Sequence, residues 1–300
     1  MEQEYFKDHF DKEEKFEEAL IELLTSRYGW GKTVLKQPTE QDLLDNWARI
    51  IYQNNSGIDR LGDYPLTRSE MMQVVDQINR LRTPLLLNDF INGKTISIKR
   101  DNPADVRHLG HEVSLFIYDA REISSGHSVY QIAEQPVLPT ADPLRHDRRG
   151  DLMLLVNGMP FFHIELKKSG VPVMQACRQI EKYAHERIFA QGIFALVQVF
   201  VAMTPTETLY FANPGPDGMF NRDYYFHWAD FNNEPVNEWF LIASGLLSIP
   251  MAHQLVGYYT VADGTDGVLK VMRSYQYFAA SNIAGVVSHN LWADRNQRGG

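Results

Sequence analysis

Residues 150–170, GDLMLLVNGMPFFHIELKKSG, constrain this chain more than any other stretch. Asp151 opens an apolar run, Asn157-Gly158 interrupts it, and a second apolar run ends in Glu165-Leu166-Lys167. Asn-Gly between two apolar runs is a strong hairpin signal. Strand side chains alternate between faces. His163, Glu165 and Lys167 therefore share one face of the second strand, and Phe162, Ile164 and Leu166 share the other. On the first strand, Leu152, Leu154 and Val156 face away from Asp151. The segment predicts a hairpin with one hydrocarbon face and one face that ends in charge.

Register decides whether the two acids meet. A plain two-residue turn pairs Val156 with Met159 and hence Asp151 with Ile164, on the wrong face. Asp151 sits beside Glu165 only if the second strand gains one residue. A three-residue loop with positive φ near Gly158, or a bulge near Pro160, supplies it. Pro160 cannot donate to a ladder, which suits an irregularity there.

Two carboxylates and a lysine at adjacent strand ends suit metal-dependent phosphodiester hydrolysis. A hard cation held by carboxylates activates water and neutralises charge, and Mg²⁺ takes one or two carboxylates plus waters and phosphate oxygens. Asp151 and Glu165 are the candidate ligands, with Lys167 orienting water or stabilising developing charge. Lys168 points to the other face. An E-x-K tripeptide alone is more often a surface ion pair. Here the upstream aspartate, the V-N-G-x-P turn and the helix that follows favour a site.

The pattern Asp151…Glu165-x-Lys167 resembles the D…ExK signature of the PD-(D/E)xK nuclease superfamily, with Gly150 where its naming proline stands. In wording it is most similar to the restriction subunit of type I restriction–modification enzymes, whose amino-terminal endonuclease domain is RecB-like. Support comes from a helix expected over 173–190, with Val173, Cys177, Ile180, Ala184 and Ile188 as its buried stripe. Gln179 and Tyr183, one turn apart on it, resemble the family's Q-x-x-x-Y motif, which lies beside the active site and affects DNA engagement. The helix expected over 15–30 has Phe16, Leu20, Leu23 and Leu24 on its apolar face and Gly29 at its stop. Glu17 matches the family's acid there, while Glu18 and Glu22 read as solvated. The resemblance further implies that the Leu166 backbone carbonyl is a metal ligand. It also implies that Arg273 and Gln276 match a segment that contacts a nucleotide base and opens the first motor domain. Gly299-Gly300 would fall just before that motor's phosphate loop, so ATP hydrolysis is not expected of these 300 residues.

The expected architecture is α/β: a restriction-endonuclease-like core, a mixed β-sheet flanked by helices, followed by the start of a helicase-like motor. The expected division is 1–255 for the endonuclease domain and 256–300 for the beginning of the motor. Residues 32–84 read as mostly helical, 95–98, 113–118, 130–138 and 208–212 as strands, and 194–203 as a central strand. The aromatic stretch 220–239 reads as packing rather than a base-stacking surface.

The implied function is Mg²⁺-dependent cleavage of double-stranded DNA. In the intact subunit, ATP-driven translocation and partnership with methyltransferase and specificity subunits are implied. A stand-alone RecB-like repair nuclease and a non-catalytic DNA-docking module are the rival readings. One cysteine, Cys177, excludes internal disulfides and suits a cytoplasmic setting. The charged start argues against a signal peptide, and no apolar run is long enough to span a bilayer. A net charge of −9 argues against tight autonomous DNA binding. Basic groups nevertheless gather near the hairpin at Arg145, Arg148, Arg149, Lys167, Lys168, Arg178, Lys182 and Arg187. His108 and His111 do not form a zinc motif, and neither a Walker A loop nor a nucleophile elbow is present.

Overall fold

The computed structural model describes residues 9–56, 60–121, 128–140, 146–216, 218–262, 264–265 and 267–289. Arg145, Gly299 and Gly300 lie outside them. The helices are α1 (Glu13–Arg27), α2 (Glu40–Asn55), α3 (Arg68–Arg80), α4 (Pro84–Asn92), α5 (Met174–His185), α6 (Trp239–Ser244), α7 (Met251–Tyr258) and α8 (Ser274–His289). The strands are β1 (Val34–Lys36), β2 (Thr95–Lys99), β3 (Glu112–Phe116), β4 (Tyr130–Glu134), β5 (Val137–Leu138), β6 (Arg148–Arg149), β7 (Leu152–Val156), β8 (Met159–Leu166), β9 (Val199–Thr204), β10 (Glu207–Ala212), β11 (Thr260–Ala262) and β12 (Leu269–Val271).

Six strands form one mixed sheet in the order β1-β4-β7-β8-β9-β10. The β1–β4 and β8–β9 pairs are parallel and the others antiparallel. Every residue of β7, β8 and β9 is buried. The apolar runs of the sequence thus become the centre of the sheet, covered on both faces. Helix α5 packs on β8 and β9, and α1 packs on α6 and against β8. A mixed sheet flanked by helices fits the restriction-endonuclease-like core expected from the sequence.

The β7–β8 hairpin resolves the register problem. Asn157 and Gly158 both have positive φ, 51° and 85°, as a tight two-residue turn of the type I′ kind needs. Gly158 is also required by space: a Cβ there would lie 2.9 Å from the Trp47 Cα. Leu155 pairs with Pro160, but Leu154 pairs with Phe162, so Phe161 is the extra residue of a bulge. The register irregularity follows Pro160 and leaves the turn itself tight. The Phe161 carbonyl accepts from the Gln198 amide at 2.9 Å. After the bulge Leu152 faces Ile164, which brings Asp151 level with Glu165.

Three expected elements differ in extent. The helix over 173–190 ends at His185, because Arg187 adopts a left-handed φ of 63° and a short 3₁₀ turn, Ile188–Ala190, follows. The run 194–203 begins as another 3₁₀ turn, Ile193–Leu196, entered from Gly192 at φ 60°, and only Val199–Thr204 is strand. The strand over 130–138 divides into β4 and β5, with Gln135 at φ 51° between them. Helix α1 ends as expected: Gly29 has φ 85° and the Trp30 amide donates back to the Leu24 carbonyl. In the aromatic stretch, Trp228 is buried and Tyr225 stacks on Phe211 at 3.8 Å, while Tyr224 is exposed. Residues 255 and 256 both lie within α7.

Candidate active site

Three elements deliver acids to one place. Asp151 stands at the entry to β7, Glu165 near the end of β8, and Glu17 on the buried side of α1. Asp151 accepts the Leu166 amide at 2.6 Å, which pins its carboxylate across the hairpin. Glu165 has no solvent exposure, and neither carboxylate oxygen has an aligned hydrogen-bond partner. Glu17 accepts from the Gln135 side chain at 3.2 Å, and its other oxygen is unpartnered.

This enclosure disfavours charge. Burial first, then the neighbouring Glu165, pushes Asp151 up to about 8, against the Leu166 amide and Lys167. Burial pushes Glu165 up to about 8, with Lys167 and the Asp151 carboxyl and backbone amide opposing. Burial also pushes Glu17 up to about 7, and the Asp151 charge adds to the rise. The enclosure favours the neutral form of these acids, and a bound cation would favour the charged form.

Lys167 is 5% exposed, so its ammonium belongs to the site rather than to solvent. Its Nζ donates to the Leu166 carbonyl at 2.7 Å and lies 3.4 Å from Glu13 Oε2. The Leu166 carbonyl is the oxygen for which a metal role was expected, and here the lysine serves it. Lys168 lies past the end of β8 and is exposed.

The accessory residues adjoin this centre. Gln179 donates to the Tyr183 hydroxyl at 2.8 Å, and that hydroxyl donates to the Arg149 carbonyl at 3.1 Å. Tyr183 is buried, and burial followed by the Glu165 charge raises its pKa. Of the basic residues near the hairpin in sequence, Arg149, Arg178, Lys182 and Arg187 are exposed, whereas Arg148 is engaged by Glu186 through two bonds of 2.8 Å.

Arg273 and Gln276 lie elsewhere. They help line a cavity of about 600 Å³ with Phe220, Tyr224 and Phe226. The Arg273 guanidinium sits 4.5 Å from the centre of the Phe226 ring, and Gln276 Oε1 accepts the Arg273 amide at 2.9 Å.

His163 was placed on the acid face by strand parity but given no role. It is fully buried, with Nε2 2.9 Å from Glu165 Oε1. Glu13 and Gln135 were also missed. Glu13 lies one helical turn before Glu17, so its spacing was a usable signal. Gln135 lies 118 residues from Glu17, and no local pattern joins them.

Among the described residues, no group of three or more His, Cys, Asp and Glu side chains is disposed to hold a metal ion. The oxygens on offer are two carboxylates and a backbone carbonyl, all hard donors. No helix among the described residues is long and apolar enough to cross a membrane.

Residues 11–218 match the family model described as type I restriction enzyme R protein N terminus. The chain belongs to that family. It is 26% identical over 277 residues to a type I restriction enzyme endonuclease subunit of Staphylococcus saprophyticus, covering 91% of this chain and 27% of that protein. A type I restriction enzyme endonuclease subunit of Staphylococcus aureus is 24% identical over 246 residues, 81% of this chain and 24% of that one. Another from Escherichia coli is 33% identical over 142 residues, 46% of this chain and 44% of its own length. The chain thus spans about a quarter of the staphylococcal relatives it matches.

Proposed function

We propose that this chain is the nuclease region of a type I restriction enzyme subunit and cleaves double-stranded DNA with Mg²⁺. The observation that carries the reading is the pair Asp151 and Glu165, brought level by the Phe161 bulge, with Asp151 half-buried and the buried Glu165 carboxylate lacking an aligned partner. Their hard oxygens fit Mg²⁺, which would keep waters or phosphate oxygens in its remaining positions. Asp151, Glu165 and the Leu166 carbonyl would hold it, and when bound it would supply charge neutralisation and an activated water.

The chain's own groups do the rest. Lys167, already beside the carbonyl, presents an ammonium to phosphate oxygen or attacking water. Glu17 adds a third acid that takes or holds a proton near neutral pH. Gln179 and Tyr183 buttress the Arg149 backbone, and exposed Arg178 and Lys182 offer charge to the DNA phosphates.

The reading extends to the longer protein. Residues 1–255 would be the endonuclease domain and 256–300 the first part of a helicase-like, ATP-dependent motor, with Arg273 and Gln276 near its nucleotide base. The partners would be the methyltransferase and specificity subunits, and the setting the cytoplasm.

The test is cleavage of target-bearing DNA beside ATP turnover by the same intact enzyme. Asp151→Ala, Glu165→Ala and Lys167→Ala are each expected to abolish cutting while ATP-driven translocation continues. Normal cutting by any of them would remove that residue from the catalytic set.

A further inference from the structure

The His163 imidazole is enclosed yet underemployed. It has no exposure, and neither ring nitrogen has an aligned hydrogen-bond partner. Rings surround it: Phe189 at 5.0 Å between centroids, and Tyr183 and Phe200 each at 6.2 Å. Such a slot suits phenylalanine, and a buried imidazole without partners is costly there. The backbone nevertheless makes room for it. A Cβ on Gly150 would lie 2.7 Å from His163 Cε1, so the residue before Asp151 must be small for the ring to stay. One functional atom is in reach: Nε2 lies 2.9 Å from Glu165 Oε1, at hydrogen-bond distance but off the N–H axis. A small turn of the Glu165 carboxylate would align them.

We propose that His163 is a positioning residue, donating from Nε2 to Glu165 Oε1 and thereby aiming the other carboxylate oxygen at a divalent cation. The geometry fits on three counts. The imidazole is fixed in the sheet two residues before Glu165, on the same strand face. Its aromatic walls hold the ring plane. Neither Glu165 oxygen has an aligned hydrogen bond, its other close polar neighbours being the Asp151 carboxyl and backbone amide, whereas Asp151 is pinned by the Leu166 amide. Carboxylates that ligate metals are themselves held by hydrogen bonds, and losing such a partner typically costs about 10–100-fold in metal affinity.

This inference rests on the reading of Asp151 and Glu165 as metal holders, and the test separates the two. Mn²⁺ is titrated into the 300-residue chain, with free Mn²⁺ read by electron paramagnetic resonance and folding by circular dichroism. His163→Phe fills the slot without a donor and is expected to weaken Mn²⁺ binding about 10–100-fold. His163→Gln keeps a donor and is expected to recover most of that loss. Wild-type affinity in folded His163→Phe, while Glu165→Ala binds no Mn²⁺, overturns the role of His163 alone. Wild-type affinity in Glu165→Ala overturns the metal site itself. Should His163→Phe not fold, ¹⁵N-histidine spectra of the unaltered chain decide. A proton on Nε2 whose resonance moves with Mg²⁺ is expected, and a proton on Nδ1 instead refutes the donation.

Discussion

Two clusters of buried carboxylates in this molecule have opposite fates. In the first, Arg100 is 1% exposed and donates to Glu70 at 2.7 Å, to Asp105 at 2.9 Å and to the Tyr64 carbonyl at 2.9 Å. Glu70 further accepts the amides of Thr67 and Asp101, each at 2.8 Å. Burial works against Asp105, but hydrogen bonds from Arg100 and His108 outweigh it and hold its carboxyl below the usual aspartate range. In the second, Asp151, Glu165 and Glu17 share one lysine, which spends its contacts on a carbonyl and on Glu13. All three acids are pushed upward. Desolvation works against the acids of both clusters, so the donors separate them: the first has the Arg100 guanidinium and the second does not. A charge cluster with its full set of donors clamps a fold, and one left short is open to a cation.

Removing Arg100 should be the most damaging single change. Arg100→Ala strands Glu70 and Asp105 in the interior, and breaking a buried pair this way costs about 3–5 kcal/mol. For a chain of this size that is on the order of a 10 °C fall in Tm, read by thermal unfolding. It should act on metal-loaded and metal-free protein alike. A fall below about 1 kcal/mol would show that the cluster is not the clamp its geometry describes.

The acid site should respond with the opposite sign. Asp151 and Glu165 have folded pKa values near 8, raised from 3.8 and 4.5. A raised folded pKa gives stability that is present below the unfolded value and is lost as pH rises through the folded one. Metal-free protein should therefore lose stability between about pH 4 and 8, with a slope of at most roughly 1.4 kcal/mol per pH unit for each group. Glu165→Gln removes one of these titrations. It should raise the metal-free Tm at pH 8 by several degrees and change it little at pH 5, and Mg²⁺ should stabilise only the unaltered chain. Equal effects at both pH values would put the two clusters in the same class.

The acid site was legible in the sequence because its logic is local. Period two placed Glu165 and Lys167 together, and counting back from Asn157-Gly158 showed that one residue had to be gained. Phe161 could not be named as that residue, since it reads like its apolar neighbours Phe162 and Ile164. The helix after the site was legible in its stripe but not in its end. Ala184 and Ile188 continue the helical spacing past Arg187, whose left-handed backbone stops it. Burial likewise hid the 3₁₀ turn before β9, because Phe194 and Phe200 are equally enclosed in either conformation. The Arg100 cluster was not legible at all. Its partners are 30 and 5 residues apart in different elements, and no periodic pattern links them.

The smallest expected effect concerns Tyr183, which lies between the two classes. Its ring is buried beside His163, but its hydroxyl is fully engaged, accepting from Gln179 and donating to the Arg149 carbonyl. By the donor-count criterion it is a buttress and not part of the open acid site. Tyr183→Phe keeps the ring in place and removes only the hydroxyl. Gln179 is half-buried and Arg149 is exposed, so both lost partners can turn to water. The cost should be that of one ordinary hydrogen bond, about 0.5–1.5 kcal/mol in stability. A phenol is a poor ligand for Mg²⁺ beside carboxylates, so Mn²⁺ affinity should change by less than about twofold. DNA cleavage by the intact enzyme should weaken without disappearing, because the Arg149 strand loses a support while the acids stay. If Tyr183→Phe instead lowers Mn²⁺ affinity as much as Glu165→Gln does, the hydroxyl belongs with the acids. Counting donors would then be too coarse a way to tell a clamp from a site.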